Sequence, residues 1–171
     1  MSSINQLLTE YNPHRNILEA AGKLAESINI PAYVVGGYVR DIILGKLSND
    51  IDIMVEGDGI LFAKKLAGKL NIGVTVDYDK FGTALIPHPE VGIEIATARK
   101  ENYDSNSRKP IVSSSTVSED MSRRDFTINA IAASILPDSF GDLYDPFKGI
   151  QDLQKGLIIT PLDPDDTFSD D

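Results

Sequence analysis

Residues 34–54 read VVGGYVRDIILGKLSNDIDIM: a short apolar run, a glycine pair, a predicted helix and an acid–x–acid strand. Gly36 and Gly37 allow the backbone to approach an anion closely, and the helix after them opens with amides that lack intrahelical partners. Arg40 falls one turn into that helix, where its planar guanidinium can fork onto phosphate oxygens. Asp41 beside it is read as a structural residue that orients a neighbour. Asp50 and Asp52 alternate with Ile51 and Ile53, so a strand puts both carboxylates on one face and both isoleucines on the other. Hard oxygen ligands paired in this way suit divalent cations. An acid–x–acid strand alone is also met as a plain exposed edge. The glycine turn and Arg40 just upstream favour the reading as a phosphate cradle joined to a metal seat.

The remaining elements extend outward from this stretch. Residues 14–29 carry Ile17, Ala21, Leu24, Ala25 and Ile28 at helical spacing, with Glu19, Lys23 and Glu26 opposite; this is an amphipathic helix. Residues 32–35 read as a first strand, 39–44 as a brief helix stopped by Gly45 at its C′ position, and 51–55 as a second strand. A further amphipathic helix is expected at 60–70 and three more strands at 74–78, 83–87 and 92–98. The polar residues 99–118 read as a surface loop. A helix is predicted over 119–134, with acids in its first turn where the helix dipole favours them. A helical turn at 150–155 and a last strand at 157–160 complete the layout. Strands and helices mix without strict alternation, so the expected fold class is α+β (mixed α/β), a small mixed sheet of about five strands flanked by helices.

Two further clusters bear on chemistry. Glu94 sits between Ile93 and Ile95 in a predicted strand and is the third carboxylate candidate, because a two-ion site needs about three acids to flank and bridge its metals. A solvated strand face is the alternative for Glu94. From Arg123 the chain reads RRDFTINA. Asp125 and Asn129 are spaced i, i+4 and share a face if one helix runs through both. A carboxylate beside an amide suits ribose hydroxyls, and Arg124 suits a phosphate; an ordinary surface ion pair ahead of a buried stretch would look the same. His14 and His88 belong to no nucleophile–base pattern, and Ser113, Ser114 and Ser115 read as loop.

The composition narrows the function classes. The 171 residues are 42% hydrophobic and 25% charged, as in an ordinary globular domain. There is no cysteine, which excludes disulfides, thiolate catalysis and zinc–thiolate sites. The polar N-terminus has no signal-peptide pattern and no segment approaches the length of a membrane span, so a cytoplasmic chain with no membrane partner is expected. A net charge of −10 argues against holding long nucleic acid by the overall field. It leaves a mononucleotide site open, since acids around Mg²⁺ contribute to that balance.

The three motifs GGYVRDIILG from Gly36, NDID from Asn49 and RRDFTINA from Arg123 resemble, in order and spacing, those of the class II tRNA nucleotidyltransferases and bacterial poly(A) polymerases, within the polymerase-beta-like nucleotidyltransferase superfamily. The resemblance covers residue 33 to the C-terminus. It implies metal binding and catalysis at Asp50, Asp52 and Glu94, with two Mg²⁺ ions. It implies nucleotide binding at Gly36, Gly37, Arg40, Arg124, Asp125 and Asn129, and a hinge-side motif at Asp145, Pro146, Phe147 and Gly149 with Asp152 and Leu153. The implied domains are a nucleotidyltransferase head over 1–160 and the start of a truncated neck over 161–171, Phe168 to Asp171 looking like its first residues.

The implied activity is transfer of CMP or AMP from CTP or ATP to an RNA 3′ end, expected to be tRNA (CCA addition) and gripped mostly by regions outside this chain. Poly(A) addition is the alternative within this class. A nucleotidyltransferase acting on a small molecule or protein hydroxyl, and a nucleotide-binding fragment inactive on its own, are the alternatives outside it.

Overall fold

The computed structural model describes residues 2–73, 75–78, 82–102 and 111–168. Its elements are α1 (Asn5–Thr9), α2 (Arg15–Ser27), β1 (Ala32–Val35), α3 (Gly37–Ile43), β2 (Asp50–Val55), α4 (Gly59–Lys69), β3 (Val76–Tyr78), β4 (Thr83–Pro87), β5 (Gly92–Thr97), β6 (Arg99–Asn102), β7 (Ile111–Ser114), α5 (Val117–Ser122), β8 (Ala132–Ser134), β9 (Leu143–Tyr144), α6 (Gly149–Lys155) and α7 (Pro164–Phe168). Seven strands form one sheet in the order β3-β4-β5-β2-β1-β8-β9, and β6 pairs with β7 apart from it. The mixed α/β class stands, with a larger sheet than expected.

Only β2 and β5 run parallel in that sheet; its other pairs are antiparallel. A parallel neighbour requires a crossover, and α4 with the β3–β4 hairpin supplies it. Alternation then divides the sheet into two faces. Ala32, Val34, Ile51, Ile53, Val55, Ile93 and Ile95 lie in the main core with α2 and α4 residues such as Leu18, Leu24, Phe62 and Leu66. Val35, Met54 and Ala132 point the other way, into a smaller cluster with Val117 and Met121 of α5. Asp50, Asp52 and Met54 alternate with the buried isoleucines of β2, so both acids occupy this second, thinly covered face.

The strands and helices read from sequence at 32–35, 51–55, 83–87, 92–98, 14–29 and 60–70 appear within a residue or two. The predicted strand at 74–78 appears as β3, with Val74 outside the described residues. Gly45 takes the left-handed φ of +69° expected of a C′ residue.

Three expectations are corrected. The polar stretch 99–118 is not a loop: β6 and β7 pair within it, from Arg99 opposite Ser114 to Asn102 opposite Ile111. Backbone pairing there does not depend on an apolar face, which is why periodicity missed it; residues 103–110 lie outside the described ones. The helix expected over 119–134 is broken. α5 ends at Ser122, Asp125 turns its carboxylate back onto the amide of Phe126 at 2.8 Å, and one 3₁₀ turn spans Thr127–Asn129. Ala132–Ser134 then pairs with β1, so sheet completion outweighs helix propensity. The last strand expected at 157–160 does not form; the segment is tied instead to the 3₁₀ turn, where the Thr127 amide donates to the Ile159 carbonyl at 2.8 Å.

α6 anchors that same turn. Asp145 accepts from the amides of Gly149 at 2.7 Å and Ile150 at 3.1 Å, as a carboxylate at a helix start does. Asp152 accepts from the Thr127 hydroxyl at 2.7 Å. A Cβ on Gly149 would collide with the Thr127 carbonyl, so only glycine permits this approach. No helix among the described residues is long and apolar enough to cross a membrane. Gly149→Ala should therefore cost about 1–3 kcal/mol through overpacking, read as a lowered urea midpoint with an unchanged slope; an unaltered midpoint would contradict this packing.

Candidate active site

The parallel ladder sets Asp52 opposite Glu94 and Asp50 opposite Gly92. Partners in such a ladder point to the same side at about 4.8 Å spacing, so Asp52 and Glu94 stand side by side. Behind them Ile51, Ile53, Ile93 and Ile95 are fully buried, which locks the register of both strands. Glu94, expected in a strand interior facing away from its isoleucines, is placed there. Asp50 is exposed at the start of β2, and a Cβ at position 92 would come within 2.5 Å of its Oδ1. Gly92 leaves room for the first acid.

Burial holds the Asp52 carboxyl above its ordinary range, and the Glu94 charge adds to the rise; Arg124 opposes it, and Asp50 again raises it. The half-buried Asp52 is thus crowded by two exposed acids, with one guanidinium close enough to offset them in part. A cleft of about 320 Å³ is lined by Asp52, Glu94, Arg99, Arg123 and Arg124 among others.

Arg123 and Arg124 follow α5 and are both held by its Asp120, which is 1% exposed. Arg123 Nη2 lies 2.7 Å from Asp120 Oδ1, and Arg124 Nη2 lies 3.2 Å from Oδ2. Arg124 Nη1 also donates to the Asn129 carbonyl at 3.4 Å. Its Nε is buried without a hydrogen-bond partner among the described residues. Gly36 has φ +66°, and a Cβ there would lie 2.6 Å from Arg124 Nη1. The first glycine of the pair thus provides both a left-handed turn and space for this guanidinium.

The residues expected to form a phosphate and ribose limb make a second, linked group. Arg40 directs Nε and Nη2 to Asp41 Oδ1, each at 2.9 Å, and Nη1 to Asn129 Oδ1 at 2.7 Å. Asn129 Nδ2 donates to Asp125 Oδ1 at 3.1 Å. Asp41 therefore orients Arg40, as anticipated. Asp125 and Asn129 do meet, but across the 3₁₀ turn and not along one continuous helix. Gly37 opens α3, with Arg40 Nη2 3.5 Å from where its Cβ would stand. Asn129 joins the two groups, through its side chain to Arg40 and its carbonyl to Arg124.

Asp120, Arg123, Arg99 and Gly92 were not singled out from sequence. The spacing of Asp120 to Arg123 and Arg124, i+3 and i+4, was a legible ion-pair signal. Its near-complete burial was not, because that depends on the sheet face α5 covers.

The donor set bears on a metal. Asp50, Asp52 and Glu94 offer hard oxygens on one face, and the upward displacement of Asp52, by burial first and then by its two neighbouring acids, marks a place that a cation would relieve. Among the described residues no three His, Asp or Glu side chains stand close enough together to hold a metal ion between them. The fit therefore rests on the in-register pair with Asp50 beside it.

The sequence pattern of the family described as Poly A polymerase head domain matches residues 32–159. The A-adding tRNA nucleotidyltransferase of Geobacter sulfurreducens is 41% identical over 143 residues, 83% of this chain and 16% of that protein. That of Halalkalibacterium halodurans is 36% identical over 156 residues, 91% of this chain and 36% of its own length. Among solved structures, a CCA-adding enzyme in apo form II superposes with TM-score 0.86 at 41% identity, covering 99% of this chain and 40% of that one. The chain spans between about a sixth and two fifths of the length of these proteins. With three quarters of its residues inside the matched segment, this chain belongs to the family described as Poly A polymerase head domain.

Proposed function

We propose that this chain is the catalytic head of an RNA nucleotidyltransferase that moves CMP and AMP from CTP and ATP onto a tRNA 3′ end. The observation that carries the reading is the in-register Asp52–Glu94 pair, with Asp50 on the same face and Arg124 close enough to act on Asp52. In the reaction the RNA 3′-oxygen attacks the α-phosphorus, the bond to the β-phosphate bridging oxygen breaks, and pyrophosphate leaves. Asp50, Asp52 and Glu94 would hold Mg²⁺, most simply as two ions. Bound there, the metal supplies Lewis-acid activation of the hydroxyl and charge neutralisation at the leaving group. Arg124 and Arg123 present positive charge to the phosphates from the opposite wall of the cleft. Arg40, fixed by Asp41 and Asn129, extends that positive edge towards the triphosphate, and Asp125 with Asn129 addresses the ribose.

The acidic balance of the chain fits a head that positions the nucleotide while the tRNA is gripped by regions beyond it. Addition of AMP alone is the second reading, favoured by the A-adding relatives. Incubating the complete protein with tRNA lacking its terminal nucleotides and labelled CTP or ATP separates them: label from both supports CCA addition, and label from ATP alone supports A addition.

Asp50→Ala and Asp52→Ala in that complete protein should each lower the single-turnover rate by about 10³-fold or more, with EDTA abolishing and Mg²⁺ restoring transfer by the unaltered enzyme. Near-normal incorporation by either variant refutes the assignment.

Asp52 also yields a stability prediction. Its folded carboxyl is raised above the unfolded value, so ionising it disfavours the folded state once the pH exceeds the ordinary carboxylate range. Asp52→Asn should therefore raise Tm at pH 7 while transfer is lost. The gain should shrink as pH falls through the raised value and vanish below the ordinary one. A Tm lowered at pH 7, or a gain that grows on acidification, would contradict this account.

A further inference from the structure

Among the described residues, Asp120 is the one carboxylate in the set of buried polar side chains. It touches no residue proposed to hold metal or ribose, yet its two oxygens are divided between the two arginines of the cleft wall. Oδ1 takes Arg123 through Nη2 at 2.7 Å and Nε at 3.2 Å, and Oδ2 takes Arg124 Nη2 at 3.2 Å. The same Oδ1 accepts the Arg99 amide at 3.4 Å, where the chain leaves β5 for β6. A carboxylate this buried is retained at the cost of desolvation, and satisfying it with two guanidiniums and an amide is how that cost is met. Arginine side chains otherwise carry large rotamer freedom, and a fixed fork loses less of it on each hydrogen bond formed.

We infer that Asp120 is a positioning residue for the nucleotide site. It orients the Arg123 and Arg124 guanidiniums along one wall of the cleft, facing Asp52 and Glu94, so that a triphosphate meets preset positive charge. The inference rests on the nucleotidyl-transfer reading of the cleft. Three features support a geometric role over mere charge balance. Both arginines line the cleft with Asp52 and Glu94. Gly36 leaves a space into which Arg124 Nη1 reaches, 2.6 Å from where a Cβ would stand. Arg124 is close enough to Asp52 to counter the rise in its carboxyl. Without Asp120, the hydrogen bond that Arg124 keeps among the described residues is its longer one to the Asn129 carbonyl.

The test is a double-mutant cycle in the complete protein, read as Kd for Mg–ATP and as KM against kcat for transfer. Asp120→Asn preserves shape and removes the charge. It should raise Kd and KM by about 10–100-fold, the usual effect of losing a supporting partner of a binding group. It should add nothing further in a background that lacks both guanidiniums, Arg123→Ala with Arg124→Ala, since coupled residues are non-additive. The Nε–H resonance of Arg123 and the Nη–H resonances of Arg124, recorded without nucleotide, should be protected from exchange in the unaltered protein and lose that protection in Asp120→Asn.

Should Asp120→Asn fail to fold, Asp120→Glu retains the charge but displaces both forks by a methylene, and the same rise in KM is expected. Additive losses, an unchanged KM in a folded variant, or unaltered guanidinium spectra each overturn the inference. If the unaltered protein binds no nucleotide, the nucleotidyl-transfer reading falls and the role of Asp120 at a nucleotide site falls with it. The guanidinium spectra then still report whether Asp120 orders the two arginines.

Discussion

The parallel ladder between β2 and β5 holds Asp52 and Glu94 at strand spacing, where burial penalises the Asp52 charge and the exposed Glu94 repels it. Each residue around them can be understood through that repulsion. The opposing sides of the same strands carry Ile51, Ile53, Ile93 and Ile95, all buried. Each fully buried aliphatic side chain is worth about 1.5–3 kcal/mol, so the hydrophobic face supplies the stability that the acidic face gives up. A slip of one residue in either strand would bury a carboxylate and expose an isoleucine, which makes the register resistant to change.

Charge compensation comes from outside the two strands. α5 covers part of the acidic face with Val117 and Met121, and the chain leaving it carries Arg123 and Arg124 back over the cleft. Their placement depends on one buried carboxylate and one glycine: Asp120 holds the forks, and Gly36 leaves the gap. Asn129 then ties this wall to Arg40 and Asp41 on α3. The 3₁₀ turn that bears Asn129 is clamped by Asp152 and Gly149 of α6 and by the Ile159 carbonyl. Through that clamp the C-terminal segments contribute to the site without lining it, and this accounts for the glycine and aspartates of the 145–152 motif.

Much of the site could be read before the fold was known, for a simple physical reason. Period-two alternation in β2 and β5 states which face an acid takes, and glycine before a helix marks a turn that other residues resist. Asp50, Asp52, Glu94, Gly36 and Arg40 each carry such a local signal. Asp120 carried only a spacing that many surface ion pairs share, and Arg99 carried none. The missed elements fail in the same manner. β6 is polar and β7 has apolar residues only in its first half, so neither carries a period-two pattern, while β8 lies in a stretch whose local propensity is helical until pairing with β1 decides otherwise.

The amino-acid sequence by itself determined the alternating strands, the glycine turn, the identity of the acids and the family to which the chain belongs, because these depend on neighbours a few residues apart. Tertiary structure alone decided that β2 lies parallel to β5, that Asp52 is opposite Glu94, and that Asp120 is buried between two arginines. The strand pairing joins residues 42 positions apart, the burial of Asp120 depends on the sheet that α5 packs against, and no local periodicity records which distant strand or helix will cover a given face.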